Sequence, residues 1–225
     1  MTRPLVVLRP EPGNAATVAR ADALGLEAHG VPLFATRPLD WTPPDPAPYV
    51  GVLLTSGNAV RFAGPALPQY LHLPAFAVGE ATHRLAEEAG FASVVAGDRD
   101  VSRLIARIAT LGLQRLLHIC GAEVKPFDAM GIVVDRCAVY AADPIAPTPE
   151  FEGLLSSRPV FLAHSPRAAA RLASLVPDAR RGSAGLVAIS PDAAAAAGQG
   201  WEMVAIAPEP RDEAILQEAV RLCRS

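Results

Sequence analysis

The sequence predicts an α/β fold of parallel sheets covered by helices, and three observations predict it. Short continuous apolar runs alternate with stretches of helical composition along the whole chain, the pattern of βα units. Hydrophobic residues make up 51% of the 225 positions but aromatics only 5%. The core is therefore built of Ala, Val, Leu and Ile, as suits strands buried on both faces. The third observation is a repeat. Asp22-Ala23-Leu24-Gly25-Leu26 matches Asp128-Ala129-Met130-Gly131-Ile132, and Leu33-Phe34-Ala35-Thr36-Arg37-Pro38 matches Val139-Tyr140-Ala141-Ala142-Asp143-Pro144. Ser56 matches Ser165, Ala77-Val78-Gly79 matches Ala188-Ile189-Ser190, and Gly90-Phe91 matches Gly200-Trp201. All offsets fall near 110 residues, so one unit is used twice.

The elements follow in order. Leu5 to Leu8 is a buried strand that exits at Arg9-Pro10. Ala15 to Leu24 is a helix closed by Gly25, and Ala28 to Ala35 is one extended segment. Pro38, Pro43, Pro44, Pro46 and Pro48 penalise helix and ladder alike, so this stretch is a linker. Val52 to Leu54 is a strand that turns at Thr55 to Asn58 into a helix. Ala75 to Val78 turns at Gly79-Glu80 into a helix over 81–89. Ser93 to Ala96 is a strand. Val101, Leu104, Ile105, Ile108 and Leu111 recur at helical spacing, with Asp100 as N-cap. Leu116 to Ile119 is a strand ending at Gly121. The alternation then predicts a helix to about Met130, stopped by Gly131. Val133 to Ala141 is extended, and Pro144, Pro147 and Pro149 crowd a second stretch. Strands at 160–163, 186–189 and 203–206 alternate with helices at 168–175, 192–197 and 212–222.

Composition excludes several functions. Net charge is −3 with no basic stripe, which argues against a nucleic-acid partner. No apolar run reaches the ~18 residues of a membrane span. The three cysteines, Cys120, Cys137 and Cys223, are scattered without a C-x-x-C. No metal or disulfide framework is expected, and reduced thiols in the cytoplasm fit. There is no G-x-G-x-x-G, P-loop or nucleophile elbow, so no cofactor is expected. The five histidines lack metal-ligand spacing. His118, inside an apolar strand, reads as a satisfied core histidine, and His164 as a surface or packing residue.

What remains is a set of small polar turns at strand ends. A strand that feeds a helix leaves free N–H groups and a dipole facing an anion. Ligands of parallel sheets sit beyond the carboxyl ends of the strands. The candidate binding residues are therefore Arg9, Thr55, Ser56, Gly79, Thr82, Gly121, Lys125, Ser165, Arg167 and Ser190. For each basic residue taken singly, a solvated surface charge is the competing reading. Tyr140 is the candidate catalytic phenol, and packing beneath the second Pro-rich stretch is its competing role.

These residues resemble the uroporphyrinogen-III synthase family over essentially the whole chain. The likeness lies in Leu8-Arg9-Pro10, in Leu54-Thr55-Ser56-Gly57-Asn58-Ala59-Val60 and in Ala75-Phe76-Ala77-Val78-Gly79-Glu80-Ala81-Thr82. It continues through Cys120-Gly121, Val139-Tyr140, His164-Ser165-Pro166, Ile189-Ser190-Pro191 and Ala207-Pro208-Glu209-Pro210. The T-S-x-N-A-V and A-V-G-x-x-T segments are the most specific. The resemblance implies two flavodoxin-like lobes joined by extended connections at about Val31–Pro38 and Cys137–Pro144. One lobe would combine residues 1–36 with 145–225, and the other would hold 37–144. It implies a cofactor-free enzyme, a cytoplasmic monomer, that cyclises hydroxymethylbilane, a linear tetrapyrrole with eight carboxylates, in a cleft between the lobes. Water is lost and the last ring is inverted. Transient contact with the preceding pathway enzyme is a further expectation. Tyr140 falls at a family tyrosine and Thr82 at a family threonine. Three positions depart from the pattern. Ser190-Pro191-Asp192-Ala193 replaces a G-P-x-T-like turn, His164 stands where threonine is usual, and Lys125 stands near a usual arginine. The alternative function is a two-lobed tetrapyrrole-binding module without chemistry, and a third is an α/β transferase, for which no cofactor loop is found.

Overall fold

The computed structural model describes residues 2–97 and 101–225. Asp100, expected as an N-cap, lies outside the described residues. The described part contains two sheets. One holds β1 (Leu5–Val7), β2 (Ala28–Gly30), β9 (Val160–Ala163), β10 (Gly185–Ala188) and β11 (Met203–Ile206) in the order β11-β10-β9-β1-β2. The other holds β3 (Phe34–Pro38), β4 (Val52–Leu54), β5 (Ala75–Val78), β6 (Val94–Gly97), β7 (Arg115–Gly121) and β8 (Val133–Pro144) in the order β3-β8-β7-β4-β5-β6. Pairings within β1, β2 and β9–β11, and within β4–β8, are parallel.

The chain divides into two compact units: Met1–Ala35 with Asp143–Ser225, and Thr36–Ala142. β3 and β8 carry the chain from one unit to the other. Five strands of each sheet follow one spatial rule. Going from one end, β2-β1-β9-β10-β11 and β8-β7-β4-β5-β6 correspond strand for strand. Each sheet thus takes an adjacent pair from one half of the sequence and a trio from the other.

The apolar runs form strands because both their faces are covered. In the second sheet Val52, Leu54, Leu117 and Ile119 pack on one face with Ala59, Tyr70 and Ala86. Leu53, Phe76 and Leu116 pack on the other, against Leu104, Ile105 and Ile108 of α4 (Val101–Thr110). In the first sheet Leu5, Val7, Val160, Leu162 and Val187 meet Ala21 of α1 (Gly13–Ala23) and Ile215, Leu216 and Ala219 of α9 (Asp212–Cys223). Each such Leu, Ile or Val is worth roughly 1.5–3 kcal/mol on full burial. The remaining helices are α2 (Gly57–Phe62), α3 (Glu80–Glu88), α5 (Pro149–Leu154), α6 (Pro166–Leu175), α7 (Asp178–Arg181) and α8 (Pro191–Ala196), with a 3-10 segment at Gly64–Tyr70.

Three expectations are corrected. No helix forms between Gly121 and Gly131. Pro126 has no N–H to give and biases Lys125 away from helical backbone. Asp128 Oδ1 accepts from Met130 N at 2.8 Å, closing a local turn instead. Secondly, Ala28 to Ala35 is not one extended segment. β2 ends at Gly30 and β3 starts at Phe34, in different sheets. Thirdly, the proline-rich stretch after β3 is fastened within its own unit. Trp41 Nε1 donates to Ala63 O at 3.2 Å, and Tyr70 Oη donates to Pro44 O at 2.7 Å. The two rings stack with centroids 6.2 Å apart.

Candidate active site

In the second unit the predicted residues fall on four neighbouring strand ends, in the order β8, β7, β4, β5. Tyr140 is on β8, Gly121 ends β7, Thr55 and Ser56 follow β4, and Gly79 and Thr82 follow β5. In the first unit Arg9 follows β1, Ser165 and Arg167 follow β9, and Ser190 follows β10, again on consecutive strands. Lys125 stands apart from the row, on the exposed loop beyond Gly121.

The three serines share one local geometry. Ser56, Ser165 and Ser190 are extended N-caps whose Oγ atoms accept from Asn58 N, Ala168 N and Ala193 N at 3.2, 3.1 and 3.3 Å. The cap bond uses an oxygen lone pair and leaves the O–H as a donor. At the fourth turn Gly79 takes the serine's place with φ +79°, a backbone that favours glycine. Thr82 sits buried in the first turn of α3.

Tyr140 owes its position to a bulge. Cys120 pairs with Ala138, but Gly121 pairs with Tyr140, so Val139 is the extra residue. Val139 is fully buried in the core on this face. Tyr140 is turned onto the same face, where its ring stacks on Phe62 at 5.8 Å and 27°. The ring also covers Gly121: a Cβ there would lie 2.8 Å from the Tyr140 Cζ. Among the described residues its hydroxyl has no hydrogen-bond partner. Away from the Tyr140 face, Cys120, Gly121, Ala122, Glu123, Val124, Arg136 and Ala138 line a hollow of about 470 Å³ at the end of β7.

Thr55 is oriented by His118, which is fully buried in β7. His118 Nε2 lies 3.0 Å from Thr55 Oγ1, while its Nδ1 is buried without a partner. A bare lone pair is cheaper to bury than a bare N–H. Nε2 therefore carries the proton and donates to Thr55, whose own O–H is left to donate outward. The expected satisfied core histidine is satisfied on one nitrogen only.

In the first unit Asp212, which opens α9, gathers residues that the sequence leaves far apart. Its Oδ1 accepts from His164 Nε2 at 2.8 Å, Thr17 Oγ1 at 2.8 Å and Arg9 Nη1 at 3.1 Å. Arg20 closes on Oδ2. Arg9, expected as a cation for a ligand, is thus also an ion-pair partner. Burial raises the Asp212 pKa, but hydrogen bonds from His164 and Thr17 and the Arg9 charge outweigh it and hold the carboxyl well below its usual range. Asn14, buried in the first turn of α1, donates to Val7 O and Arg9 O at 2.8 and 3.0 Å and fixes the exit of β1. Arg167, in the first turn of α6, lies over the Phe34 ring at 4.3 Å. No sequence signal joins Thr17, Arg20, His164 and Asp212, which is why all four escaped the candidate set.

The family model described as uroporphyrinogen-III synthase HemD matches residues 15–217. The chain belongs to the uroporphyrinogen-III synthase family. Solved structures of this family share its fold. The uroporphyrinogen-III synthetase of Helicobacter pylori superposes with a TM-score of 0.68 at 17% identity, covering 98% of this chain and 99% of that one. A mutant uroporphyrinogen III synthase of Thermus thermophilus gives 0.57 at 20% identity, with 98% and 99% covered. No curated protein sequence matches the chain. Uroporphyrinogen-III synthases serve porphyrin biosynthesis. Among the described residues of this one, no helix is long and apolar enough to cross a membrane, and no group of His, Cys, Asp or Glu is placed to hold a metal ion.

The buried histidines make the stability of this synthase-family chain pH-dependent. Burial and the nearby Arg136 bring the His118 pKa down to about 4, and burial likewise lowers that of His164. An unfolded histidine titrates near 6.5. Between about 4 and 6.5 the unfolded chain binds more protons, so stability falls as pH drops through that window. His118 alone should remove about 2 kcal/mol of unfolding free energy between pH 7 and pH 5. Urea titrations of wild type and His118→Gln at both pH values check this. An equal loss in the two proteins would rule out His118 as the source.

Proposed function

We propose that this chain is an active uroporphyrinogen-III synthase that takes hydroxymethylbilane, expels its hydroxyl as water and closes the macrocycle with the terminal ring inverted. The observation that carries the reading is that, within each unit, donors stand on consecutive strand ends, in a chain whose family match spans residues 15–217. A poly-carboxylate needs fixed N–H and O–H groups along its length, and the capped turns at Ser56, Ser165 and Ser190 and the Gly79 turn supply them. The hydroxymethyl group leaves readily from an electron-rich pyrrole, and unassisted closure joins the wrong carbon. The protein's main work is then positional: it holds the chain folded for attack at the substituted carbon. Tyr140 donates a proton to the departing hydroxyl, and the proton lost from the attacked ring restores the phenol. Thr55, held by His118, Thr82 and the backbone at Gly121 bind and orient, as do Arg9, Arg167 and Lys125. The protein acts as a cytoplasmic monomer, and its three unpaired cysteines suit that compartment. A transient encounter with the enzyme that makes the short-lived bilane belongs to the same reading.

One observation favours the second reading, a tetrapyrrole-binding module. Asp192 puts a carboxylate in the first turn of α8, where an anion would otherwise dock. The deciding experiment generates hydroxymethylbilane in situ, adds the protein, oxidises and separates the porphyrin isomers. A shift from isomer I to isomer III is expected. Isomer I alone from folded protein would favour the binding module.

A further inference from the structure

We propose that Arg9 and Arg20 form a carboxylate subsite on the first unit, with Asp212, Thr17 and His164 as the residues that position them. The proposal rests on the reading above, since the carboxylate it takes is a side arm of the tetrapyrrole.

The argument starts from charge. Asp212 carries one negative charge, and two guanidiniums close on it. His164 Nε2 must donate to Asp212 Oδ1, and burial keeps the ring neutral. The cluster therefore holds one surplus positive charge. Neutralising a carboxylate needs one arginine, and here there are two. The surplus is open to solvent: the Asp212 side chain is only 12% exposed, against 34% for Arg9 and 46% for Arg20.

Donor geometry points the same way. Each guanidinium has five N–H donors. Arg9 uses Nη1 on Asp212 and on Thr17 Oγ1 at 3.2 Å, and Arg20 uses Nη1 on Asp212. The remaining edges suit the paired contacts a second carboxylate makes. Thr17 is locked in turn, since it accepts from Arg9 while donating to Asp212 at 2.8 Å. Space is kept for the arrangement as well. A Cβ at Gly13 would lie 2.5 Å from Arg9 Nε, so in this position the guanidinium packs directly on the bare backbone of the first turn of α1. The cluster stands at the carboxyl ends of β1 and β9, where parallel sheets bind ligands. A fixed cation on two tethered arginines loses less side-chain freedom on binding than free surface arginines would.

The test uses Arg20→Gln, on the exposed flank of the cluster, and two readouts. One is KM for hydroxymethylbilane generated in situ. The other is the dissociation constant for uroporphyrin, a stable fluorescent octacarboxylate, followed by fluorescence titration at two salt concentrations. Arg20→Gln should weaken both by about 5–10-fold, with KM rising more than kcat falls, and should flatten the salt dependence. Arg20→Lys should recover part of the loss. Arg224→Gln, an exposed arginine on the same unit that bonds Leu24 O, should change neither. Asp212→Asn separates positioning from simple charge. It makes the patch more positive, so attraction alone would tighten uroporphyrin, whereas loss of positioning loosens it. Looser binding is expected, and tighter binding would overturn the positioning role. Unchanged KM and unchanged uroporphyrin affinity in Arg20→Gln would overturn the subsite. The uroporphyrin titration keeps this separate from the enzymatic reading: it decides the subsite even if the wild type yields only isomer I.

Discussion

Tyr140→Phe should slow isomer III formation by one to two orders of magnitude and leave the unfolding midpoint unchanged. The substitution removes one oxygen. The ring remains stacked on Phe62 and seated over Gly121, so the packing on this face of the sheet persists. The hydroxyl has no partner among the described residues, and its loss strands no buried donor or acceptor. What disappears is the proton given to the departing hydroxyl. General acids contribute about 10²–10⁴-fold. A phenol assisting an already good leaving group belongs at or below the lower end of that range. A 10–100-fold loss corresponds to about 1.4–2.7 kcal/mol of barrier. Single-turnover isomer analysis, with a parallel urea titration, measures both halves of the statement. A near-wild-type rate would remove Tyr140 from the mechanism.

Gly121→Val should cost at least as much turnover by a different route. A Cβ at this position would stand 2.8 Å from Tyr140 Cζ and 3.1 Å from its Oη, closer than carbon atoms approach without something moving. Valine adds two methyls to that contact. The backbone of β7 is held by β4 and β8 on either side, so the tyrosine ring gives way. Overpacking of this kind costs roughly 1–3 kcal/mol of stability, and a displacement of about 1 Å at a reacting group can cost ~10²-fold in rate. Because both changes act on one hydroxyl, the double variant with Tyr140→Phe should be little slower than Gly121→Val alone. Multiplying losses in the isomer assay would show that Gly121 acts on something other than the ring.

Much of the architecture was legible because its signals are local. Val52 to Leu54 and Val160 to Ala163 read as strands from four or fewer apolar residues, and the serine after each read as a turn. In the sequence Ser56, Ser165 and Ser190 read as anion donors. The structure adds that each also caps the helix behind it, a task set by the next two or three residues. The helix expected after Gly121 failed because the alternation rule outweighed a single local breaker, Pro126, and an Asp128 side chain able to close its own turn. The break within Ala28 to Ala35 was hidden because extended backbone looks alike whichever sheet it joins. The Asp212 cluster was illegible for a plainer reason. Its hydrogen bonds join α1, the end of β9 and the start of α9, and no periodicity or spacing links side chains so distant in sequence.

The division of each sheet between the two halves of the chain bears on synthesis. A ribosome finishes residues 36–142 as one run, and β4 to β7 and most of β8 are then in hand. β1 and β2 leave the ribosome before that run, yet β9, the neighbour that completes the flank of β1, lies 155 residues beyond it, as the pairing of Leu5 with Val160 shows. At typical elongation speeds that delay is on the order of ten seconds. During it, an all-apolar strand whose native place is fully enclosed has one open edge. Truncations that keep β1 and β2 but remove β9 to β11 should therefore strand that pair, and holdase chaperones should engage it rather than the run from β4 to β7.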